Sequence, residues 1–318
     1  MLVFWLLITG LEIPEIEQTI QQGDWQKAQN QAIQVLEKDP NLTDAYWYLV
    51  KLPHASRDLA EALKWAEKGL VYVKQNALYY LELARLTSAR LNENKMLWVG
   101  GSSKYLGYLD QAIQIDPDLY AAYHEKIGFL CQAPGMVGGD KKQALALAES
   151  LTQRQAEQGF KAQVTVYNAM EQPEKAKAIL EQWIEQSPSG PAYYEMGMLL
   201  QSEKDYPAAL SWLERAWEKG FRPALYQAAR TRILGQFEAD KAIANLQTYL
   251  EEPDPRLVAA AWWRMGNAQE QLAQKNEARA SYQKALQLDP NFEEAKKSLS
   301  QLKYGAQNVY FFVFVICC

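Results

Sequence analysis

The sequence is short of most of the residues that do chemistry. It has three cysteines in 318 residues, Cys131 in mid-chain and Cys317 and Cys318 at the end, so no disulfide framework can be read from it. Its two histidines, His54 and His124, are seventy positions apart. No HExxH, CxxC or Gly-x-Ser-x-Gly pattern occurs, which leaves metal-dependent and nucleophilic catalysis without a recognisable motif. Lysine and arginine are interspersed with acids, net charge is −5 and pI about 5.4. A nucleic-acid backbone as main partner would call for a basic face, which this balance does not supply. No apolar run is long enough to span a bilayer as a helix. Prolines (13) and glycines (17) are few, and most sit where helical hairpins should end.

What the chain does have is repetition. In Ala259–Pro290, Trp262, Met265, Gly266 and Gln269 fall at i, i+3, i+4 and i+7, one face of a helix. A polar turn follows, and Ala278, Tyr282 and Ala285 mark a second helix that runs into Asp289-Pro290. The pattern recurs with a leading residue, a mid-hairpin Ala and a closing Pro. The leading positions read Tyr46, Leu78 (with Leu81), Tyr123, Phe160, Tyr193, Tyr226 and Trp262, after a partial first unit at Gly23-Asp24-Trp25, Ala28 and Asp39-Pro40. Phe160 to Tyr193 and Tyr193 to Tyr226 are each 33 residues. Extra residues fall near Asn92–Ser103 and in QAPGMVGGDK, and Pro53 is expected to shorten its helix. A period of this length means a stacked array.

Small residues belong where backbones approach closely, so Gly197, Gly266, Ala176, Ala209, Ala242 and Ala278 are read as helix-contact positions. After Pro290, NFEEAKKSLSQLK reads as one amphipathic helix with Phe292, Ala295, Leu299 and Leu302 on a face, suited to capping the last hairpin.

These residues make the chain resemble a tetratricopeptide repeat protein over 12–303. The resemblance implies an all-α solenoid, a right-handed superhelix of about eight helix hairpins plus a C-terminal capping helix. It implies peptide or partner-protein binding on a concave face, without catalysis or cofactor. The fourth unit, with QAPG, a hydrophobe and GGDK, resembles a bacterial subgroup of the family. The family's clamp for a C-terminal carboxylate needs Lys and Asn one turn apart, and neither Lys161/Thr165 nor Trp263/Asn267 matches it.

The residue after each leading position is expected to face the groove: Trp47, Tyr79, His124, Lys161, Tyr194, Gln227 and Trp263, with Asn267 one turn on. Trp47, Tyr79, His124, Lys161, Tyr194, Trp263 and Asn267 are the candidate partner-binding residues. The competing reading packs these aromatics between neighbouring first helices. A second functional reading is an apolar small molecule or lipid held in the inner groove.

Three further stretches are weighed. In Gly135–Lys142 an anion cradle competes with a structured turn in which Asp140 caps the next helix and Gln143 closes a capping box. Cys131, among Ile127, Phe129 and Leu130, reads as a small buried hydrophobe. The apolar segment 1–11 is either a signal remnant, implying export to an envelope or periplasm, or a strip packed on the first helices of a cytoplasmic protein. The tail 304–318, ending VYFFVFVICC, is apolar and stays unassigned.

Overall fold

Asp-Pro marks the ends of several helical hairpins, and the reason is local. After the second helix the Asp carboxylate turns back to accept from the backbone two residues on: Asp39 from Asn41 N (3.0 Å), Asp116 from Asp118 N (2.9 Å) and Asp289 from Asn291 N (2.9 Å). The proline between cannot continue the helix. Starts are equally legible. Asp24, Asp58, Asn76, Asp140, Ser189 and Asp205 each cap a helix N-terminus through the side chain. Pro191, Pro207 and Pro223 sit in first turns, where no N–H is missed.

The computed structural model describes residues 13–52, 57–73 and 75–302. The readings of 1–11, Pro53, His54, the tail, Cys317 and Cys318 lie outside the described residues. Among the described residues every regular element is helical. The chain divides into two compact units with the boundary between Ala176 and Lys177.

The first unit contains α1 (13–21) with α2 (Trp25–Lys38), α3 (Thr43–Lys51) with α4 (Leu59–Lys68), α5 (Ala77–Asn92) with α6 (Trp98–Ile115), α7 (Tyr120–Gln132) with α8 (Lys141–Arg154), and α9 (Ala156–Ala169). Helix α10 (Pro173–Gln186) crosses the boundary. The second unit continues with α11 (Gly190–Ser202) and α12 (Tyr206–Glu218), α13 (Pro223–Gly235) and α14 (Ala239–Glu251), α15 (Val258–Gln271) and α16 (Lys275–Leu288), then α17 (293–302). Within each unit, successive helices pack as hairpins and first helices also touch the next first helix, as α3 does α5 and α13 does α15.

The alanines at the predicted contact positions, Ala176, Ala209, Ala242 and Ala278, are fully buried. Gly197 and Gly266 are tighter still. A Cβ on Gly197 would lie 2.7 Å from Leu213, and one on Gly266 would lie 2.4 Å from the Tyr282 ring. In α17, Ala295 and Leu302 are buried while Glu293, Glu294, Lys296 and Lys297 are exposed. That is the polar outer face a terminal cap requires.

Two details depart from expectation. Tyr79, not Leu78, is the buried leading residue of the third hairpin: Tyr79 has no exposed surface and Leu78 is 53% exposed. The 33-residue step from Tyr46 lands on Tyr79, so the insertion comes after this position and the register before it is undisturbed. The QAPG–GGDK loop also closes differently. Asp140 accepts from Lys142 N and Gln143 N as predicted, but its own N–H donates to Leu130 O (2.9 Å), not to Gln143. Lys141 Nζ is likewise spent, on Ala169 O (2.5 Å). Gly139 allows the fold-back, because a Cβ there would sit 1.7 Å from Ala133 O.

Candidate functional site

A first helix packs against its own second helix, the second helix before it and the neighbouring first helices, as α13 does against α14, α12, α11 and α15. The side chains left over form a stripe. On α13 the buried residues include Leu225, Tyr226, Ala228, Ala229, Arg232 and Ile233, which leaves Gln227, Arg230 and Leu234 at least partly exposed at i, i+3 and i+7. The same logic gives Trp47 and Lys51 on α3, Glu82 and Arg85 on α5, His124 and Glu125 on α7, Lys161 and Thr165 on α9, Tyr194 and Met198 on α11, and Trp263, Arg264 and Asn267 on α15.

Six of the seven predicted residues therefore keep exposed surface, and Tyr79 does not. Its hydroxyl donates to Ala66 O (2.7 Å) inside the core, and burial raises its pKa far above the ordinary tyrosine value. Trp47 packs edge-on against it (centroids 5.1 Å), with the Lys51 ammonium 4.6 Å over the Trp47 ring.

Several of these side chains are tied between hairpins. In the first unit, Tyr48 Oη donates to Glu17 (3.0 Å), Arg85 Nε to Glu125 (2.6 Å), and His124 Nε2 lies 2.7 Å from Gln158 Oε1. Burial pushes the His124 pKa down and the nearby Lys161 charge adds to this, against the opposing bond to Gln158. In the second unit, Gln201 donates to Thr231 Oγ1 (2.6 Å), Arg264 Nε to Tyr226 Oη (2.9 Å) and Trp263 Nε1 to Ser298 Oγ (3.1 Å). Phe292, just before the capping helix, packs edge-on to Trp263 (centroids 5.6 Å). Asn267 spends one end of its amide on Tyr282 Oη (2.8 Å). The expected ladder of open aromatics is a set of polar rungs between partners one repeat apart, with aromatic faces only half open.

The charged members Arg85, Glu125, Arg230 and Arg264 were missed, since the positions read were the one after each leading residue and the one a turn beyond that. Arg230 stands one turn after Tyr226, so the i+4 position carried a signal. Tyr194, Tyr226 and Gln227 line a cleft of about 230 Å³ closed by Tyr249, Pro253 and Leu257.

Cys131 is buried, as expected, and burial raises its pKa. Among the described residues no group of three or more His, Cys, Asp or Glu side chains could hold a metal ion, and no helix is long and apolar enough to cross a membrane.

A tetratricopeptide repeat family model matches residues 259–292, which contain the α15/α16 hairpin. No curated protein matches the sequence. Among solved structures, yeast Tom70 is similar at 14% identity with TM-score 0.66, over 89% of this chain and 59% of that one. This chain thus spans less than two thirds of Tom70. A human IFIT1 dimer, solved with PPP-AAAA, is similar at 18% identity with TM-score 0.52, over 92% of this chain and 72% of that one. A tetratricopeptide repeat protein from Parabacteroides merdae is similar at 15% identity with TM-score 0.51, over 93% and 98%. At these identities the likeness is one of fold. With a matched repeat at 259–292 and these shared folds, the chain is an α-solenoid that carries a tetratricopeptide repeat.

Proposed function

We propose that this protein is a non-catalytic interaction scaffold that holds a peptide or partner protein on the exposed stripes of first helices within its units. The observation that carries the reading is the composition of those stripes. Trp47, His124, Lys161, Tyr194, Trp263 and Asn267 all keep exposed surface there, beside Arg85, Glu125, Arg230 and Arg264. Half-open aromatics with arginines among them are the residue types that anchor protein partners. Tyr79 is left out of the binding set because it is core.

The fold by itself does not choose the ligand class, since IFIT1 was solved with PPP-AAAA. The net charge of −5 and the acids within the stripe speak for a polypeptide over a nucleic-acid backbone. The same charges weigh against an apolar small molecule or lipid as ligand, because its burial would strip water from Glu82, Arg85 and Glu125. The likeness of the QAPG–GGDK loop to a bacterial subgroup belongs to this reading and brings no activity with it.

The test is cross-linked capture from the native host with the full chain and with Lys51→Glu combined with Lys161→Glu. Both lysines are exposed, so the variant keeps the core intact. The variant should lose the partners the parent captures. Unchanged capture would sink the reading, and an apolar ligand retained in native mass spectrometry would favour the alternative.

A further inference from the structure

The arginines of the second unit between α13 and α15 fall into two kinds. Arg222 and Arg232 have carboxylate or carbonyl partners, although Nη1 of Arg232 is buried without one. Arg222 donates to Glu252 O, Thr248 O and Tyr249 O, and Arg232 pairs with Glu214 (2.5 Å) and Glu238 (3.1 Å). Arg256, on the loop, pairs with Asp254. Arg230 and Arg264 have no carboxylate within ion-pair distance among the described residues. Arg230 reaches only Gln227 Oε1, at a long 3.4 Å, and its Nε is buried with no partner. Arg264 reaches only the neutral Tyr226 hydroxyl, with its guanidinium over the Tyr226 and Trp263 rings (5.6 and 5.0 Å).

These two groups meet at one place. Arg230 and Tyr226 are i and i+4 partners on α13, so they lie one above the other on the helix surface. Arg264 crosses from α15 to bond Tyr226 at 2.9 Å, which brings its guanidinium near enough for its charge to act on Arg230. Burial and the Arg264 charge together lower the Arg230 pKa, as two like charges in a half-buried place must. Gln227, bonded to Arg230, also lines the cleft beside Tyr194 and Tyr226. Two cations held close with no internal anion cost the fold free energy, and an external anion would relieve it.

We propose that Arg230 and Arg264 form a carboxylate-binding site for an acidic peptide, whose adjoining side chain enters the cleft lined by Tyr194, Tyr226 and Gln227. The proposal rests on the scaffold reading and names its partner's chemistry. Arginine forks match carboxylate geometry, and the hydrogen bonds formed are charge-assisted. The residues differ from the Lys/Asn clamp that the sequence does not match. A polypeptide occupant follows from the scaffold reading, and an RNA is one outcome of the test.

The test uses the full chain and two fluorescein-labelled peptide amides, Phe-Glu-Glu-Trp-Gly and Phe-Gln-Gln-Trp-Gly, followed by anisotropy. Arginine Nε signals are read by NMR in parallel. The Glu peptide should bind about tenfold or more tightly than the Gln peptide, as loss of a charged partner predicts. It should move the Nε signals of Arg230 and Arg264 and leave Arg232 in place. Arg230→Gln with Arg264→Gln should abolish the preference, and retained helical circular dichroism would show that the variant folds. Equal binding of the two peptides, binding of neither, or displacement by triphosphorylated tetra-adenylate but not by the Glu peptide would each overturn the proposal. Host-partner capture that still depends on Lys51 and Lys161 would then leave the scaffold reading standing.

Discussion

Trp263 Nε1 donates to Ser298 Oγ at 3.1 Å, which ties the last repeat to the capping helix α17. Trp263 is one of the candidate partner-binding residues, and this bond makes it a cap residue as well. Trp263→Phe keeps most of the ring and removes the donor. The expected cost is about 1 kcal/mol, seen as faster amide exchange confined to 293–302. Protection there equal to the parent would show that the bond contributes nothing.

Gly266 and Gly107 are both helical glycines, and alanine should act oppositely at the two. A Cβ at 266 meets the Tyr282 ring at 2.4 Å, and Tyr282 is fully buried and bonded to Asn267 and Glu270. Gly266→Ala should therefore destabilise by about 1–3 kcal/mol in urea unfolding. Nothing lies within 4 Å of a Cβ at Gly107 on α6. Gly107→Ala should gain about 1 kcal/mol from helix propensity. Equal effects would refute the packing argument.

The turn between first and second helices uses the left-handed region repeatedly: Gly23 (φ 76°), Glu171 (58°), Lys204 (66°), Gln236 (58°) and Ala273 (59°). Only the first of these is glycine. Ala273 is exposed, so its replacement disturbs no packing. Ala273→Gly should raise stability by up to about 1 kcal/mol, the left-handed strain less the entropy of glycine in the unfolded chain. A fall in melting temperature would show the strain to be absent.

His124 makes the first unit sensitive to mild acid. Its pKa in the fold lies below the ordinary 6.5, chiefly through burial, with Lys161 adding to the effect and Gln158 opposing it. As pH drops from 6.5 toward the folded value, the unfolded chain takes up the proton that the fold resists. The stability owed to this group is therefore complete above the ordinary value and lost as pH falls through the folded one. His124→Gln should flatten that decline in urea melts taken across the same range. An unchanged slope would assign the decline to other groups.

The repeat was legible because burial on a helix recurs with the helical period, and each contact between hairpins needs a small residue at a fixed place. Ala209, Ala242, Ala278 and Gly266 could be placed without coordinates for that reason. Capping by Asp140 and the turns at Asp39 and Asp289 were local and equally readable. The half-reading of the QAPG–GGDK loop shows the limit. Whether Gln143 or Leu130 receives the Asp140 N–H depends on where the preceding helix ends in space.

The candidate binding face was less legible, since exposure on a first helix is decided by several neighbours, some of them a whole repeat away in sequence. Leu78 and Tyr79 carry no local mark of which is core. The 33-residue step from Tyr46 favoured Tyr79, and packing against Trp47 and Ala66 settled it. The pairs Arg85–Glu125, His124–Gln158 and Arg264–Tyr226 join residues 34 to 40 positions apart. Sequence by itself determined the helices, their pairing and the small-residue contacts, all consequences of short-range geometry. Tertiary structure alone decided which aromatics stay half open and which arginines lack an acid, because both depend on side chains brought together from successive repeats.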